Sequence, residues 1–220
     1  MQDKDRAQLG AELLKSLVQT APTSNESLSV RAFGQADAQN VRFFLYQDVL
    51  EELAFASAYR DEPCFAVLLG HFAMDELGAF IEVTGFDGLE YRDEVGEMYR
   101  PLRATLEQTM RELSRGETGS GRHIVGLFVG LPGCEAALDA EIARVHLSLF
   151  NMPYQMAVVV DPKARKLGVY ARAPRAKFFD APFFVVRANA APKSEAVAKP
   201  SKAEVLSESA PAQVHENVTS

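Results

Sequence analysis

The chain has 220 residues, of which 47% are hydrophobic and 24% are charged, and its formal net charge is -7. This acidic balance argues against a general nucleic-acid-binding protein, and no stretch approaches the roughly 20 apolar residues that a membrane-spanning helix needs. The first residues, MQDKDRAQLG, are charged and polar with no apolar run behind them. We therefore expect no signal peptide and a cytoplasmic location, where Cys64 and Cys134 would be reduced thiols.

The first forty residues are predicted to form an N-terminal helical extension. Leu9, Leu13 and Leu17 recur at helical spacing within a helix predicted over about Lys4 to Gln19. This helix either packs on its own domain or binds a partner. A strand over Ser27 to Phe33 follows it.

The middle of the chain alternates apolar strands with amphipathic helices. Apolar runs bounded by turn residues predict strands, and apolar residues at helical spacing predict helices. The predicted strands are Val41 to Tyr46, Pro63 to Phe72 and Ala79 to Phe86, and the predicted helices are about Gln47 to Ala58 and Met98 to Leu113.

The segment from Ile124 to Pro162 carries the most information. It contains a strand, a Leu-Pro-Gly turn, a helix and a second strand. The strands are Ile124 to Val129 and Met156 to Val160, and the apolar positions of the helix are Leu138, Ile142, Val145 and Leu149. This order usually places one helix on one sheet.

Beyond Pro162 the sequence becomes basic and then rich in phenylalanine. The basic run KARKLGVYARAPRAKFF contains a short strand, Leu167 to Ala171, and is predicted to be a solvated hairpin; the alternative is a basic face that docks an acidic partner, a membrane surface or RNA. Phe178, Phe179, Phe183 and Phe184 either close the core or leave an apolar patch for a partner. From about Ala188 the composition predicts a disordered tail.

Two segments of the chain resemble sequence motifs of the JAB/MPN superfamily, whose fold is that of the JAMM metalloisopeptidases. Active members have a strand ending in Gly-Trp-Tyr-His-Ser-His-Pro-Gly, and this chain has Gly-Leu-Phe-Val-Gly-Leu-Pro-Gly over 126–133. A later family strand reads Ala-Val-Val-Val-Asp-Pro, as 157–162 do here. The resemblance implies an α/β (α+β) fold with a mixed β-sheet flanked by helices, and a domain over 41–187 between the extension over 1–40 and the tail over 188–220.

The resemblance also implies that the family's chemistry has been lost. The two zinc-binding histidines of the motif correspond to Val129 and Leu131, which precede the shared Pro132. Asp139 fits the place of the third ligand, although the segment before it is shorter than in the family. The catalytic glutamate corresponds to Pro63, with Glu62 one residue out of register and so directed to the other face of a strand.

These substitutions predict a pseudoenzyme with no metal and no cofactor, because one carboxylate without imidazole partners should not hold zinc. The expected role is a scaffold or protein-interaction subunit that pairs with another MPN protein or with itself, and the Trp-free composition would suit a bacterial protein. One alternative is a divergent metal-dependent isopeptidase or peptidase that acts on a ubiquitin-like or peptide substrate, with a site built from Cys64, Cys134 and Asp139. Another is a small-ligand binder that uses the emptied cleft.

Overall fold

A computed structural model describes residues 21–25, 27–33, 41–116, 121–173 and 177–188. The helices are α1 (Gln47–Tyr59), α2 (Tyr99–Arg115) and α3 (Ala140–Leu149). The strands are β1 (Leu28–Phe33), β2 (Val41–Tyr46), β3 (Cys64–Asp75), β4 (Gly78–Tyr91), β5 (His123–Gly130), β6 (Met156–Asp161), β7 (Lys166–Ala173), β8 (Lys177–Asp180) and β9 (Phe183–Ala188). Short 3-10 turns over Pro22–Ser24 and Val95–Met98 complete the described elements.

The nine strands form one mixed sheet in the order β1-β9-β2-β4-β3-β5-β6-β7-β8. The pairs β2/β4, β2/β9 and β5/β6 are parallel, and the other neighbours are antiparallel. The predicted class, a mixed sheet flanked by helices, is therefore confirmed. Among the helices of the described ranges, none is both long and apolar enough to cross a membrane.

Alternation along the buried strands divides the core into two layers. In β3, Ala66 and Leu68 join one cluster with Leu53 of α1, whereas Phe65 and Val67 join a second cluster, which contains residues of α2 and α3. Successive side chains of a strand point to opposite faces, so α1 covers one face of the sheet and α2 and α3 cover the other. We call these the α1-side core and the α2/α3-side core.

The sheet is strongly curled. β8 lies at one end of the strand order and β9 is second from the other end, yet only Ala181 and Pro182 connect them. Such a link spans roughly 11 Å between the last Cα of β8 and the first of β9, so the two ends of the sheet must approach each other. Phe179, Ala181 and Phe183 accordingly pack in or against the α1-side core beside Phe43 of β2.

The element predictions from Val41 to Arg172 are confirmed, with β3 and β4 longer than expected. These two strands run on past irregularities in their register, between Phe65 and Val67 and between Leu69 and Gly70. The prediction of a solvated hairpin beyond Pro162 was partly right. β7 and β8 pair as a hairpin, but β7 lies inside the sheet between β6 and β8. β8 and β9 were not predicted.

The N-terminal prediction is only partly covered by the described residues. The strand predicted over Ser27 to Phe33 is present as β1, and it pairs antiparallel with β9, so part of the predicted extension belongs to the sheet itself. The helix predicted over Lys4 to Gln19, with Leu9, Leu13 and Leu17, lies outside the described residues. The tail predicted beyond Ala188 also lies outside them.

Candidate functional site

The two positions that the resemblance would align with zinc-binding histidines lie at the end of β5 and face the core. Val129 is fully buried in the α2/α3-side core, and Leu131 packs against the same cluster. The backbone N–H of Leu131 donates to the carbonyl oxygen of Val160, 2.9 Å away, which ties the chain to β6 beyond the end of β5. Both side chains are therefore parts of a packed layer between the sheet and α3.

The turn that follows β5 is organised by a single buried carboxylate. Asp161 accepts hydrogen bonds from the backbone N–H groups of Gly133, Glu135, Lys163 and Ala164, with N···O distances of 3.0, 2.7, 2.9 and 3.1 Å. Hydrogen bonds from Gly133 and the other backbone amides outweigh the effect of desolvation and lower the pKa of Asp161 to about 2. Asp161 is thus the last residue of β6, and its side chain joins the two turns.

This turn also contains strained backbone that its contacts hold in place. Glu135 and Ala136 both have left-handed φ angles, 56° and 57°, which non-glycine residues adopt at a cost. The Tyr170 hydroxyl donates to the Ala136 carbonyl at 2.8 Å, and Lys166 pairs with Glu135. Several independent contacts therefore fix the conformation of the turn.

Asp139 acts as the N-cap of α3. Its carboxylate accepts a hydrogen bond from the backbone N–H of Ile142 at 2.7 Å, as expected for an aspartate at a helix start. The side chain is exposed, whereas Val129 is buried. The carboxylate of Asp139 therefore has a structural role that explains its presence.

The position that the resemblance would align with the catalytic glutamate holds a buried proline. Pro63 accepts a backbone hydrogen bond from Arg92 N–H through its carbonyl oxygen, at 2.9 Å. The neighbouring Glu62 lies at the surface and pairs with Arg60, with 3.5 Å between nitrogen and oxygen.

Cys64 and Cys134 lie on opposite faces of the sheet. Cys64 belongs to the α1-side core, where burial raises its pKa to about 11, and Cys134 packs against the α2/α3-side core, where burial also raises its pKa. Within the described ranges, no group of three or more His, Cys, Asp or Glu side chains could hold a metal ion. The alternative site of Cys64, Cys134 and Asp139 is therefore wrong: the sheet separates the two thiols.

The phenylalanines of the C-terminal edge are used in packing. Phe183 stacks on Phe33 and Phe184 stacks on Phe44, with ring centroids 5.2 and 5.0 Å apart. Phe178 meets the ring of His146 edge-on, and Phe179 packs against the α1-side core. All four are half-buried, so their predicted role in partner binding stays a prediction.

His146 is a buried histidine whose environment could not be read from the sequence. It lies on the inner side of α3, fully buried, stacked on Phe150 and edge-on to Phe178. Among the described residues neither ring nitrogen has a hydrogen-bond partner of normal geometry, and burial, which outweighs the effect of the Met156 backbone, lowers the pKa of His146 to about 4. The ring is therefore a neutral component of the core at physiological pH.

A surface that the sequence analysis missed lies on the outer side of α1. Phe55 and Tyr59 are 71% and 69% exposed, with their ring centroids 6.3 Å apart, and Ala54 and Ala58 beside them are also exposed. A signal was present in the sequence, because Phe55 lies well away from Val49 and Leu53 around the helix. We call Ala54, Phe55, Ala58 and Tyr59 the α1 patch.

Two open cavities lie away from the end of β5. One, of about 340 Å³, lies between the start of α2 and α3 and is lined by Gly96, Tyr99, Arg144, Val145 and Ser148. The other, of about 290 Å³, lies beside the start of α1 and is lined by Tyr46, Gln47, Asp48, Glu51, Val186 and Arg187. The hypothesis of a small ligand in an emptied cleft lined by Val129 and Leu131 is not supported, because these side chains are packed.

Comparison with known proteins yields little. No protein-family model matches the chain, and no curated protein matches it. Among solved structures, the solution structure of protein DSY2949 from Desulfitobacterium hafniense is similar, with 14% sequence identity and a TM-score of 0.47. The match covers 67% of this chain and 94% of the other. A likeness this distant supports no statement about function.

Proposed function

We propose that the chain is a non-catalytic MPN-like protein that acts by binding, as a scaffold or protein-interaction subunit that pairs with another MPN-domain protein or with itself. The proposal rests on the side chains found at the end of β5. The two positions that would present imidazoles hold Val129, fully buried, and Leu131, packed beside it.

The chemistry of the donor set supports the same proposal. A catalytic zinc site uses three protein ligands and an open position for water. Here the side chains of Val129 and Leu131 have no lone pairs, the Asp139 carboxylate caps a helix, and the four backbone N–H groups around Asp161 use its lone pairs. Without a bound metal, no water would be activated near neutral pH by this route.

The core at the β5 end also supports a role in binding. A buried layer that joins β5, α2 and α3 gives a rigid support for surfaces elsewhere on the domain. The α1 patch is such a surface, because it exposes two aromatic rings, the side chains that most often anchor protein partners. No specific contact favours the isopeptidase alternative, which becomes one outcome of the test.

The catalytic half of the proposal is tested by elemental analysis of the untagged protein and by incubation with ubiquitin-like conjugates and short peptides. We expect far less than one zinc per chain and no cleavage. Asp139→Ser is the matched variant, because serine keeps the N-cap of α3 while removing a carboxylate ligand. Zinc near one per chain, together with cleavage that Asp139→Ser abolishes, would overturn the proposal in favour of a hydrolase.

The binding half is tested on the native protein. We expect the full chain, isolated from its source cells under mild conditions, to elute with a protein partner or a second copy in a constant ratio across the peak. Elution as a free monomer, both in the extract and after purification, would contradict a scaffold role.

A further inference from the structure

A third cluster of buried side chains lies on the face of the sheet opposite α1. Phe43 and Leu45 of β2 belong to the α1-side core, so Phe44 between them points to the opposite face. In β4, Phe80 alternates with Ile81 in the same way. We call the fully buried members of this third cluster, each 0% exposed, the β2/β4 cluster: Ala21, Phe44, Ala73, Phe80 and Val186.

The described residues do not account for this burial. No residue of a helix in the described ranges belongs to the third cluster, whose partly buried members come from strands of the same sheet. The residues of α2 and α3 that cover this side of the sheet elsewhere form the separate α2/α3-side core. Because large side chains such as Phe44 and Phe80 are fully buried, another layer of the chain must lie over them.

Ala21 indicates which segment forms that layer. It is the first described residue and is itself fully buried in the β2/β4 cluster, so the chain before it leaves from this face. The helix predicted over about Lys4 to Gln19 ends just before it and has a stripe of leucines. A helix of this length spans roughly 24 Å, more than the distance across β1, β9, β2 and β4 at about 4.8 Å between neighbours.

The other segments outside the described ranges fit this face less well. Residues 34–40, GQADAQN, include no large apolar side chain, and residues 117–120, ETGS, are few and polar. The segment beyond Ala188 has scattered valines and a single leucine, with no apolar stripe at helical spacing.

A buried cation supports the same assignment. The guanidinium of Arg42 lies 6.0 and 5.5 Å from the ring centroids of Phe44 and Phe80. Arg42 pairs with Asp75, but its Nε and Nη1 atoms are buried with no hydrogen-bond partner among the described residues. The last carbonyl groups of a helix lack partners within the helix and attract cations. A helix that ends just before Ala21 would bring such carbonyls to this cluster.

We propose that the segment before Ala21 forms a helix that packs on the β2/β4 cluster of its own chain. Leu9, Leu13 and Leu17 face the cluster, and the end of the helix lies beside Arg42. The inference does not rest on the proposed function, but it limits where a partner can bind. The leucine stripe is used within the fold, which leaves the α1 patch as a surface for association.

The burial of the stripe is tested with an introduced tryptophan, because the chain has none of its own. Leu13→Trp and Leu17→Trp, each in the full chain, should give blue-shifted emission that acrylamide quenches several-fold less than the emission of Lys15→Trp. Lys15→Trp is the matched control, since residues two apart on a helix do not share a face. Circular dichroism establishes that each variant is folded.

A second measurement avoids the large tryptophan ring. Leu17→Ala should lower the Tm by at least about 4 °C, because it removes a buried side chain. Lys15→Ala should change the Tm by less than about 2 °C.

The face that the helix covers is tested with a short-range quencher. Ala32 of β1 is exposed and lies opposite Phe184, which packs against the β2/β4 cluster. A nitroxide on Ala32→Cys should quench the emission of Leu17→Trp, in a Cys134→Ser background whose remaining cysteine is buried. The same label on Ala58→Cys, on the outer side of α1, is the control and should leave the emission unchanged.

Three results would overturn the proposal. One is emission from Leu13→Trp and Leu17→Trp as exposed as that from Lys15→Trp, and another is quenching from Ala58→Cys without quenching from Ala32→Cys. The third is quenching that appears only when labelled chains are mixed with chains that carry the tryptophan, which would show exchange of the helix between copies. In each case the proposed function would still stand, because elution of the native protein tests it separately.

Discussion

The turn after β5 and the outer side of α1 have opposite properties. In the turn, Asp161 binds four backbone N–H groups and Tyr170 binds the Ala136 carbonyl, so the polar groups are matched inside the protein. On α1, two aromatic rings face outward with contacts only to each other among the described aromatic pairs. The comparison indicates that the first region stabilises the fold and the second is available for association.

If that contrast is correct, substitutions in the turn should change stability, and substitutions on the α1 patch should change association. The largest effect should come from Asp161→Ala, which leaves four backbone donors without an acceptor, all four of them in turns. We expect a fall in Tm of roughly 10 °C, measured by differential scanning calorimetry. Asp161→Asn is the control, because it keeps one acceptor oxygen and its Tm should fall clearly less.

The carboxylate of Asp161 also gives a pH dependence with a definite sign. Its pKa in the folded protein, about 2, is below the ordinary value of 3.8. The stabilisation is therefore present above about pH 3.8 and is lost as the pH falls towards 2. An Asp161→Asn chain whose Tm fell as steeply as that of the wild type over this window would contradict the assigned role.

His146 gives a second pH dependence of stability, which should appear in milder acid than that of Asp161. Its folded pKa, about 4, is below the ordinary value of 6.5, so between these pH values the unfolded chain binds a proton that the folded chain does not. Stability should be constant above pH 6.5 and fall by about 3 kcal/mol as the pH drops to 4. Urea unfolding across this range should show the fall in the wild type and a smaller one in His146→Leu.

A smaller loss is expected at Gly130, where β5 packs against the inner side of α1. A Cβ atom there would lie 2.4 Å from Cβ of Ser57 in α1 and 2.6 Å from Sγ of Cys64. Gly130→Ala should therefore push α1 away from the sheet and cost about 2 kcal/mol, the usual cost of overfilling a packed core. Gly133→Ala is not an equivalent control, because its φ of 84° adds strain; Ala58→Ser on the outer side of α1 is, and should be neutral.

The smallest effect on stability should come from the α1 patch itself. Phe55→Ala removes a ring that is 71% exposed, so the free energy of unfolding of the monomer should change by less than about 0.5 kcal/mol. Phe65→Ala is the matched substitution of a fully buried ring and should cost about 4 kcal/mol. Equal losses in urea unfolding at low protein concentration would remove the distinction between the two regions.

Local patterns predicted most of the sheet and failed where pairing is distant. The alternating apolar runs of β3, β5 and β6 and the stripes of α2 and α3 are visible in short windows. β9 is different, because its partners are β1 and β2 at the other end of the chain, and nothing within 183–188 specifies them. The phenylalanines there predicted burial without predicting a strand.

The candidate site was predictable in composition but not in its contacts. The absence of side-chain ligands at Val129 and Leu131 is plain from the sequence, and so is the capping role of Asp139. The binding of Asp161 to Gly133 and Glu135 joins turns that are separated by a helix and a strand, so no local rule could reveal it. The exposure of Phe55 could be predicted from the helical period of α1 once the side of the helix that meets the sheet was known.

The position of β9 has a consequence for how the chain folds during synthesis. Phe43 of β2 pairs with Phe183, and Leu28 of β1 pairs with Ala188, so β1 gains its described partner strand only when the end of the sheet-forming region has left the ribosome. Until then β1 and one edge of β2 expose unpaired backbone groups and apolar side chains, which favour aggregation. Folding should therefore be slow, because the last described strand, β9, completes the pairing of β1 and β2.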